Sequence, residues 1–118
     1  MTLYDRVGGD DAIAAAVDGF YERVVTDPTL SAWFEGVDLT TLKAHQRAFL
    51  AVGLGGPEQY EGRSMRNAHA GLAITNEAFT TTLGHLADTL RDLGVDPEVL
   101  RQIVRRIELM RAAIVSTR

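Results

Sequence analysis

Hydrophobic residues recur every three or four positions along most of the chain, which is the spacing of one face of an α-helix. The clearest stripes run through Ile13, Val17 and Val24 and again through Leu83 and Leu90. These stripes predict four longer helices, which begin near residues 10, 40, 75 and 97. No segment alternates between apolar and polar positions as a β-strand does. The predicted fold class is all-α.

Capping and helix-breaking residues mark the ends of these helices. Thr2 followed by Asp5 is the pattern of a capping box and predicts a short first helix, which Gly8-Gly9 ends. Asp10 or Asp11 then begins the first long helix. The remaining boundaries are marked in the same way, by Asp27-Pro28, Thr75, Gly94 and Asp96-Pro97. The last helix is predicted to run without a break as far as Ile114.

A glycine-rich stretch separates the second long helix from the third. Residues 54–62 read LGGPEQYEG and cannot form a regular helix. Helical spacing resumes over residues 65–72, where Met65, His69 and Leu72 share one side.

Composition narrows the class of protein. A chain of 118 residues, 46% hydrophobic and 24% charged, is typical of one globular domain, expected here over residues 1–118. A net charge of −4 gives no basic field for nucleic acid or an anionic membrane. The absence of cysteine excludes disulfides, thiolate metal sites and thiol nucleophiles. With neither a hydrophobic signal region nor a membrane-length apolar run, a cytoplasmic protein is expected.

Four polar side chains lie on or beside the apolar stripes: Tyr21, His45, Gln46 and His69. A buried polar group costs about 1–3 kcal/mol unless it has a partner. Each of the four could be satisfied separately by a backbone carbonyl or a water. Alternatively, they face one another around a haem, with a histidine on the iron and the hydroxyl and amide as donors to an iron-bound ligand. The apolar residues nearby suit the walls of such a pocket, but their periodicity alone favours an ordinary helical core: Phe20, Phe34, Leu42, Phe49, Met65 and Leu72.

Other kinds of site are less well supported by the sequence. A zinc site needs three or four ligands, and the three histidines lack the short spacing usual on helices. The glycine-rich stretch follows a helix rather than a strand and is not followed by Lys-Ser/Thr, which argues against a phosphate-binding loop.

Taken together, the segments resemble the truncated (two-over-two) haemoglobins, in particular their first group. The resemblance covers essentially the whole chain. It is carried by LYDRVGGDDAI, GFYERV, LSAWF, AHQRAFL, LGGPEQYEG, MRNAHAGL and GHLADTL, in that order. It implies a shortened globin in which two pairs of helices, known in globins as B/E and G/H, enclose a non-covalently held b-type haem.

The resemblance also implies roles for individual residues. His69 matches the proximal iron ligand, and Tyr21 and Gln46 match the distal pair that donates hydrogen bonds to bound oxygen. Leu42 takes the distal-gate position, and Phe34 matches the phenylalanine that packs on the haem. Further residues are expected to line the pocket, namely Phe49, Met65, Leu72 and Phe79, or to meet the propionates, namely Tyr60, Arg63 and Arg66.

His45 and Leu50 depart from the family pattern, and His85 is a histidine to which the pattern gives no role. His45 is similar to the histidine with which cyanobacterial members ligate iron from the distal side, or it stays at the haem edge. Those members also attach haem through a histidine in the last helix, and residues 97–118 contain none. Leu50 stands where some members place a tunnel-gating phenylalanine. His85 lies off its helix stripe and is expected to be a surface or packing residue.

The implied function is binding of oxygen and other diatomic ligands at ferrous haem iron. The family makes nitric oxide dioxygenation an expectation, in which oxygen and nitric oxide give nitrate and an unidentified reductase restores the ferrous iron. The alternative is an oxygen carrier, sensor or electron-transfer protein with partial bis-histidyl ligation. A third reading is a haem-free helical interaction module, which a visible absorption spectrum would distinguish.

Overall fold

A computed structural model of the chain describes residues 2–55 and 74–115, and it is mostly helical. In this part of the chain there are six α-helices and one short 3₁₀ helix, Ser31–Phe34. The α-helices are α1 (Leu3–Val7), α2 (Gly9–Thr26), α3 (Leu39–Gly53), α4 (Asn76–Asp92), α5 (Pro97–Glu108) and α6 (Arg111–Ile114).

The first helix boundaries follow the sequence closely. The Thr2 side chain accepts a hydrogen bond from the Asp5 backbone amide, and the Asp5 side chain reaches back to Thr2, so the predicted capping box is confirmed. Gly8 then has a φ of 123°, a backbone conformation that residues with a Cβ atom rarely adopt. The chain turns at Gly8 and enters α2 directly at Gly9, one residue before the predicted start.

The later helices are capped by short polar side chains. The Asp38 carboxylate accepts from the Thr40 backbone amide at 3.0 Å, so α3 begins at Leu39. Thr75 caps α4 and Asp96 caps α5, which has Pro97 at its first position. At the end of α4 the amides of Gly94 and Val95 donate to carbonyls of the last turn, in the pattern of a Schellman motif.

Two pairs of helices enclose the core. Helix α2 packs against α3 and also against α4, which in turn packs against α5, while α1 contacts α2 and α5. Among the described residues, the main core cluster contains thirteen buried side chains, including Ile13, Val17, Tyr21, Leu86 and Ile103. This arrangement, α2 and α3 over α4 and α5, is the predicted two-over-two sandwich.

The α2–α4 contact depends on a small residue. A Cβ atom added at Gly19 would lie 2.9 Å from Cγ2 of Thr89, closer than real Cβ contacts come. Thr89 is itself buried at 4% exposure and lies on α4. Gly19 therefore sets how closely the two helices approach.

The prediction of one unbroken last helix is wrong. Helix α5 ends at Glu108, and α6 starts only at Arg111. The Met110 amide donates to the Ile107 carbonyl, three residues back, at 2.9 Å, which tightens the turn. Leu109 projects outward with 81% exposure. None of the helices in the described ranges is both long enough and apolar enough to span a bilayer.

Candidate functional site

Tyr21 lies at the centre of the candidate site. Its position on α2 buries all but 4% of the residue within the main core cluster. The ring is held edge-on by two phenylalanines, with centroids 4.9 Å from Phe20 and 5.9 Å from Phe34. These contacts fix the ring and therefore fix the direction in which its hydroxyl can donate.

The Tyr21 hydroxyl has no hydrogen-bond partner within the described residues. Burial raises the pKa of the Tyr21 phenol well above its ordinary value of 10.0. The residue is therefore a protonated donor that no described protein group uses.

The facing side of the site is built by α3. Leu42 and Gln46 are both half-buried and lie one turn apart, on the same side of this helix. Leu42 packs against the main core cluster that contains Tyr21. Gln46, like Tyr21, makes no hydrogen bond within the described part of the chain. The structure thus supplies a second uncommitted polar side chain on the helix that packs against α2.

On α3 the His45 side chain points away from that of Gln46. It is exposed, whereas its neighbour Gln46 is half-buried. One residue corresponds to about 100° around a helix, so the two side chains point in different directions. An ion pair between Lys43 on α3 and Asp18 on α2, at 3.4 Å, joins the two helices on the outer side.

Apolar contacts link the two ends of the candidate site. Phe34 packs on both the main cluster and a second cluster, formed by Val24, Leu30 and Ala78. Ile74 packs on this second cluster and also on a third, formed by Phe79, Leu83 and Val115. Among the described residues, Phe79 and Tyr21 thus lie in different clusters, which Phe34 and Ile74 help to connect. Leu50 is half-buried against the main cluster.

Several predicted site residues lie outside the described residues. These are Tyr60, Arg63, Met65, Arg66, His69 and Leu72, together with the side chain of Phe49. Their roles stay predictions.

His85 belongs to a polar cluster that sequence reasoning did not find. Its Nε2 atom lies 2.7 Å from a carboxylate oxygen of Asp27, at the end of α2. Hydrogen bonds from His85 and Thr29 lower the pKa of Asp27 to about 2. Beside this pair, Arg23 donates to Thr89 at 3.1 Å and pairs with Asp92. The contacts join residues up to 69 positions apart, which no local pattern indicates.

The chemistry of the described part of the site suits a haem. A porphyrin needs apolar walls, and a polarised diatomic ligand on its iron needs nearby donors. Tyr21 and Gln46 are donors without a partner among the described residues, and Phe34 and Leu42 are apolar neighbours on the same core cluster. No trio of histidine, aspartate or glutamate side chains within the described ranges is arranged to hold a metal ion directly.

The comparisons with known proteins all indicate the same family. A sequence model described as "Bacterial-like globin" matches residues 2–116. The chain is 42% identical over 106 residues to a group 1 truncated haemoglobin of Mycolicibacterium paratuberculosis, covering 90% of this chain and 78% of that one. It is 37% identical over 115 residues to the group 1 truncated haemoglobin of Nostoc commune, covering 98% of each.

Solved structures agree with this result. The structure is similar to the crystal structure of truncated haemoglobin from Tetrahymena pyriformis in its Fe(III) form, with a TM-score of 0.94, 35% identity and 98% coverage of both chains. A two-over-two haemoglobin from a Synechococcus species, with covalently attached haem, gives a TM-score of 0.93 at 30% identity and 98% coverage of both. The chain therefore belongs to the bacterial-like globin family, among the group 1 truncated haemoglobins, and uses haem to bind diatomic ligands.

Proposed function

We propose that this protein converts nitric oxide to nitrate with oxygen bound in its haem pocket, and that Tyr21 and Gln46 form the distal pair. The observation that carries the proposal is the buried Tyr21 hydroxyl, a fixed donor without a partner in the described residues. A haem in this pocket would supply ferrous iron that polarises oxygen, and the Tyr21 hydroxyl would be the hydrogen-bond donor for that oxygen.

When bound, a haem would supply the ferrous iron at which oxygen binds and the one electron that nitrate formation requires. The chain supplies the environment. Tyr21 donates from a position fixed by Phe20 and Phe34, and burial keeps its phenol protonated. The Gln46 amide would donate from α3, where it is half-buried, and the half-buried Leu42 one turn earlier would limit the entry of water.

The proximal side of the proposal depends on His69, which we assign as the iron ligand. Phe49, Met65, Leu72 and Phe79 would line the pocket, and Tyr60, Arg63 and Arg66 would meet the propionates. Arginine suits this last role because its fork matches a carboxylate. The haem is expected to be held without a covalent bond, since residues 97–118 contain no histidine. The whole of 1–118 then serves as one domain.

Turnover requires an electron donor, because each nitrate formed leaves one ferric haem. A reductase would therefore act as a partner in repeated cycles. Without one, the same pocket would serve as an oxygen carrier or sensor.

Rapid mixing tests the proposal directly. The ferrous protein in oxygen-saturated buffer is mixed with nitric oxide, and haem oxidation is followed by absorbance while nitrate is measured in the product. One nitrate per haem oxidised is expected. Release of unreacted nitric oxide, or nitrite as the main product, would overturn the proposal and leave a ligand-binding role.

A further inference from the structure

Arg111 makes contacts that its place in a short surface helix does not require. Its Nε atom donates to the Glu108 carboxylate at 2.6 Å, an ordinary ion pair within one turn. Its other nitrogens cross to α4, where Nη1 donates to the Asn76 carbonyl at 3.3 Å and Nη2 to the Thr80 hydroxyl at 3.0 Å. Every nitrogen of the guanidinium group therefore has a partner.

The same guanidinium also covers an aromatic ring. Its central carbon lies 4.4 Å from the centroid of the Phe79 ring, in a cation–π arrangement. Phe79 is buried at 6% exposure and shares its cluster with Leu83 and Val115. The Arg111 side chain thus donates hydrogen bonds to the start of α4 and also packs on the face of the buried Phe79 ring.

This location matters because of where α4 begins. Asn76, whose carbonyl Arg111 binds, follows the proposed iron ligand His69 by seven positions in the sequence. Phe79 is one of the residues proposed to line the haem pocket. If the first turn of α4 loosened, it would affect the proposed position of Phe79 beside the haem and that of His69 on the iron.

We infer that Arg111 is a positioning residue of the haem pocket, which fixes Phe79 and the first turn of α4 and so retains the haem. The inference rests on the proposed placement of Phe79 and His69 beside the haem. Only arginine meets the geometry, because a lysine ammonium cannot reach Glu108 and Thr80 as a fork while also covering the ring.

Arg101 provides a matched control. It also forms an ion pair with the glutamate three residues earlier, Glu98, at the surface of the neighbouring helix α5. Its side chain is 65% exposed, whereas that of Arg111 is 28% exposed. The Arg101→Met change therefore removes a comparable local ion pair, but no contact with α4 in the described structure.

The test is transfer of ferric haem from the holoprotein to excess apomyoglobin, followed by absorbance. Arg111→Met should release haem about threefold to tenfold faster, in line with the loss of a cation–π contact and several charged hydrogen bonds. Arg111→Lys should be intermediate, and Arg101→Met should release haem at the parental rate, because an exposed surface ion pair contributes little. Equal rates for Arg111→Met and Arg101→Met would overturn the inference.

A second readout separates positioning from plain stabilisation. The iron–histidine vibration of the ferrous protein should shift or broaden in Arg111→Met but not in Arg101→Met. Arg111→Met could instead lower the melting temperature and leave both the iron–histidine band and the haem transfer rate unchanged. This result would show that Arg111 only stabilises the packing of α6 on α4, and it would overturn the inference.

A milder variant keeps the test valid if Arg111→Met does not fold. Thr80→Val removes one acceptor and leaves both Arg111 and Phe79 in place, and it should speed haem transfer by about twofold. A parental rate in this variant would overturn the inference. A parent chain that bound no haem would instead refute the proposed function, whereas haem binding by the parent with unaffected variants would refute only the role of Arg111.

Discussion

Replacement of Tyr21 by phenylalanine removes one hydroxyl from the candidate site and leaves the ring in place. The ring packs between Phe20 and Phe34, so the phenylalanine should keep the same position. Within the described residues no protein group loses a partner, and the change in stability should be nearly neutral. The effect should therefore fall on the bound ligand.

The expected magnitude follows from the loss of one hydrogen bond to a polarised acceptor. Such a bond contributes about 1.5–3 kcal/mol, and water cannot readily replace the hydroxyl at a residue with 4% exposure. A tenfold change corresponds to about 1.4 kcal/mol, so oxygen should dissociate about ten to a hundred times faster. Because burial raises the pKa of Tyr21 above 10.0, the effect should not change between about pH 6 and pH 9.

The assay is stopped-flow replacement of oxygen by carbon monoxide, with Tyr4→Phe as the control. Tyr4 is another buried tyrosine, but its hydroxyl donates to the Asp10 carboxylate at the junction of α1 and α2. Tyr4→Phe should lower the free energy of unfolding by about 1.5–3 kcal/mol and leave oxygen release unchanged. If oxygen leaves Tyr21→Phe no faster than the parent, the hydroxyl does not contact the ligand and the reasoning is refuted.

Three further predictions concern the neighbouring polar residues. Gln46→Leu should speed oxygen release less than Tyr21→Phe does in the same assay. In the double variant, the increase in the dissociation rate should be smaller than the product of the two single increases, because both donors would serve one ligand. His45 is exposed, so α3 would have to rotate before His45 could coordinate the iron. Part of the unliganded ferrous protein should show low-spin, six-coordinate absorption, and His45→Ala should remove it. Five-coordinate spectra that are identical in the parent and the variant would contradict this prediction. Asp27 has a pKa of about 2 in the fold against an ordinary 3.8, so its stabilising contribution is complete above about pH 4 and is lost as the pH falls towards 2. Asp27→Asn should therefore lose less stability between pH 5 and pH 3 in urea titrations than the parent, and parallel curves would contradict the pairing with His85.

The helices were predictable because their signals are local. Thr2 with Asp5 specifies a capping box, and Asp96-Pro97 specifies a helix start, from a few adjacent residues. Tyr21 was recognisable as a polar group on an apolar stripe, which the helical period alone indicates.

The break in the last helix and the contacts of His85 and Arg111 depend instead on contacts between distant segments. The apolar stripe of the last helix continues past Glu108, so periodicity could not show the break in which Leu109 turns outward. His85 and Asp27 are 58 positions apart, and Arg111 reaches Asn76 across 35 positions. Only the packing of α2, α4, α5 and α6 brings these groups together, and packing carries no short-range sequence signal.

The central claim is that one histidine, His69, holds the haem iron. The chain has three histidines, so each can be replaced by alanine in turn and the apoproteins titrated with haem. His45→Ala and His85→Ala should bind one haem per chain with a parental Soret band in the ligand-bound ferrous form, since His45 lies on the distal helix and His85 is engaged by Asp27. His69→Ala should lose stable haem binding. Parental haem stoichiometry and an unchanged Soret band in His69→Ala would contradict the account.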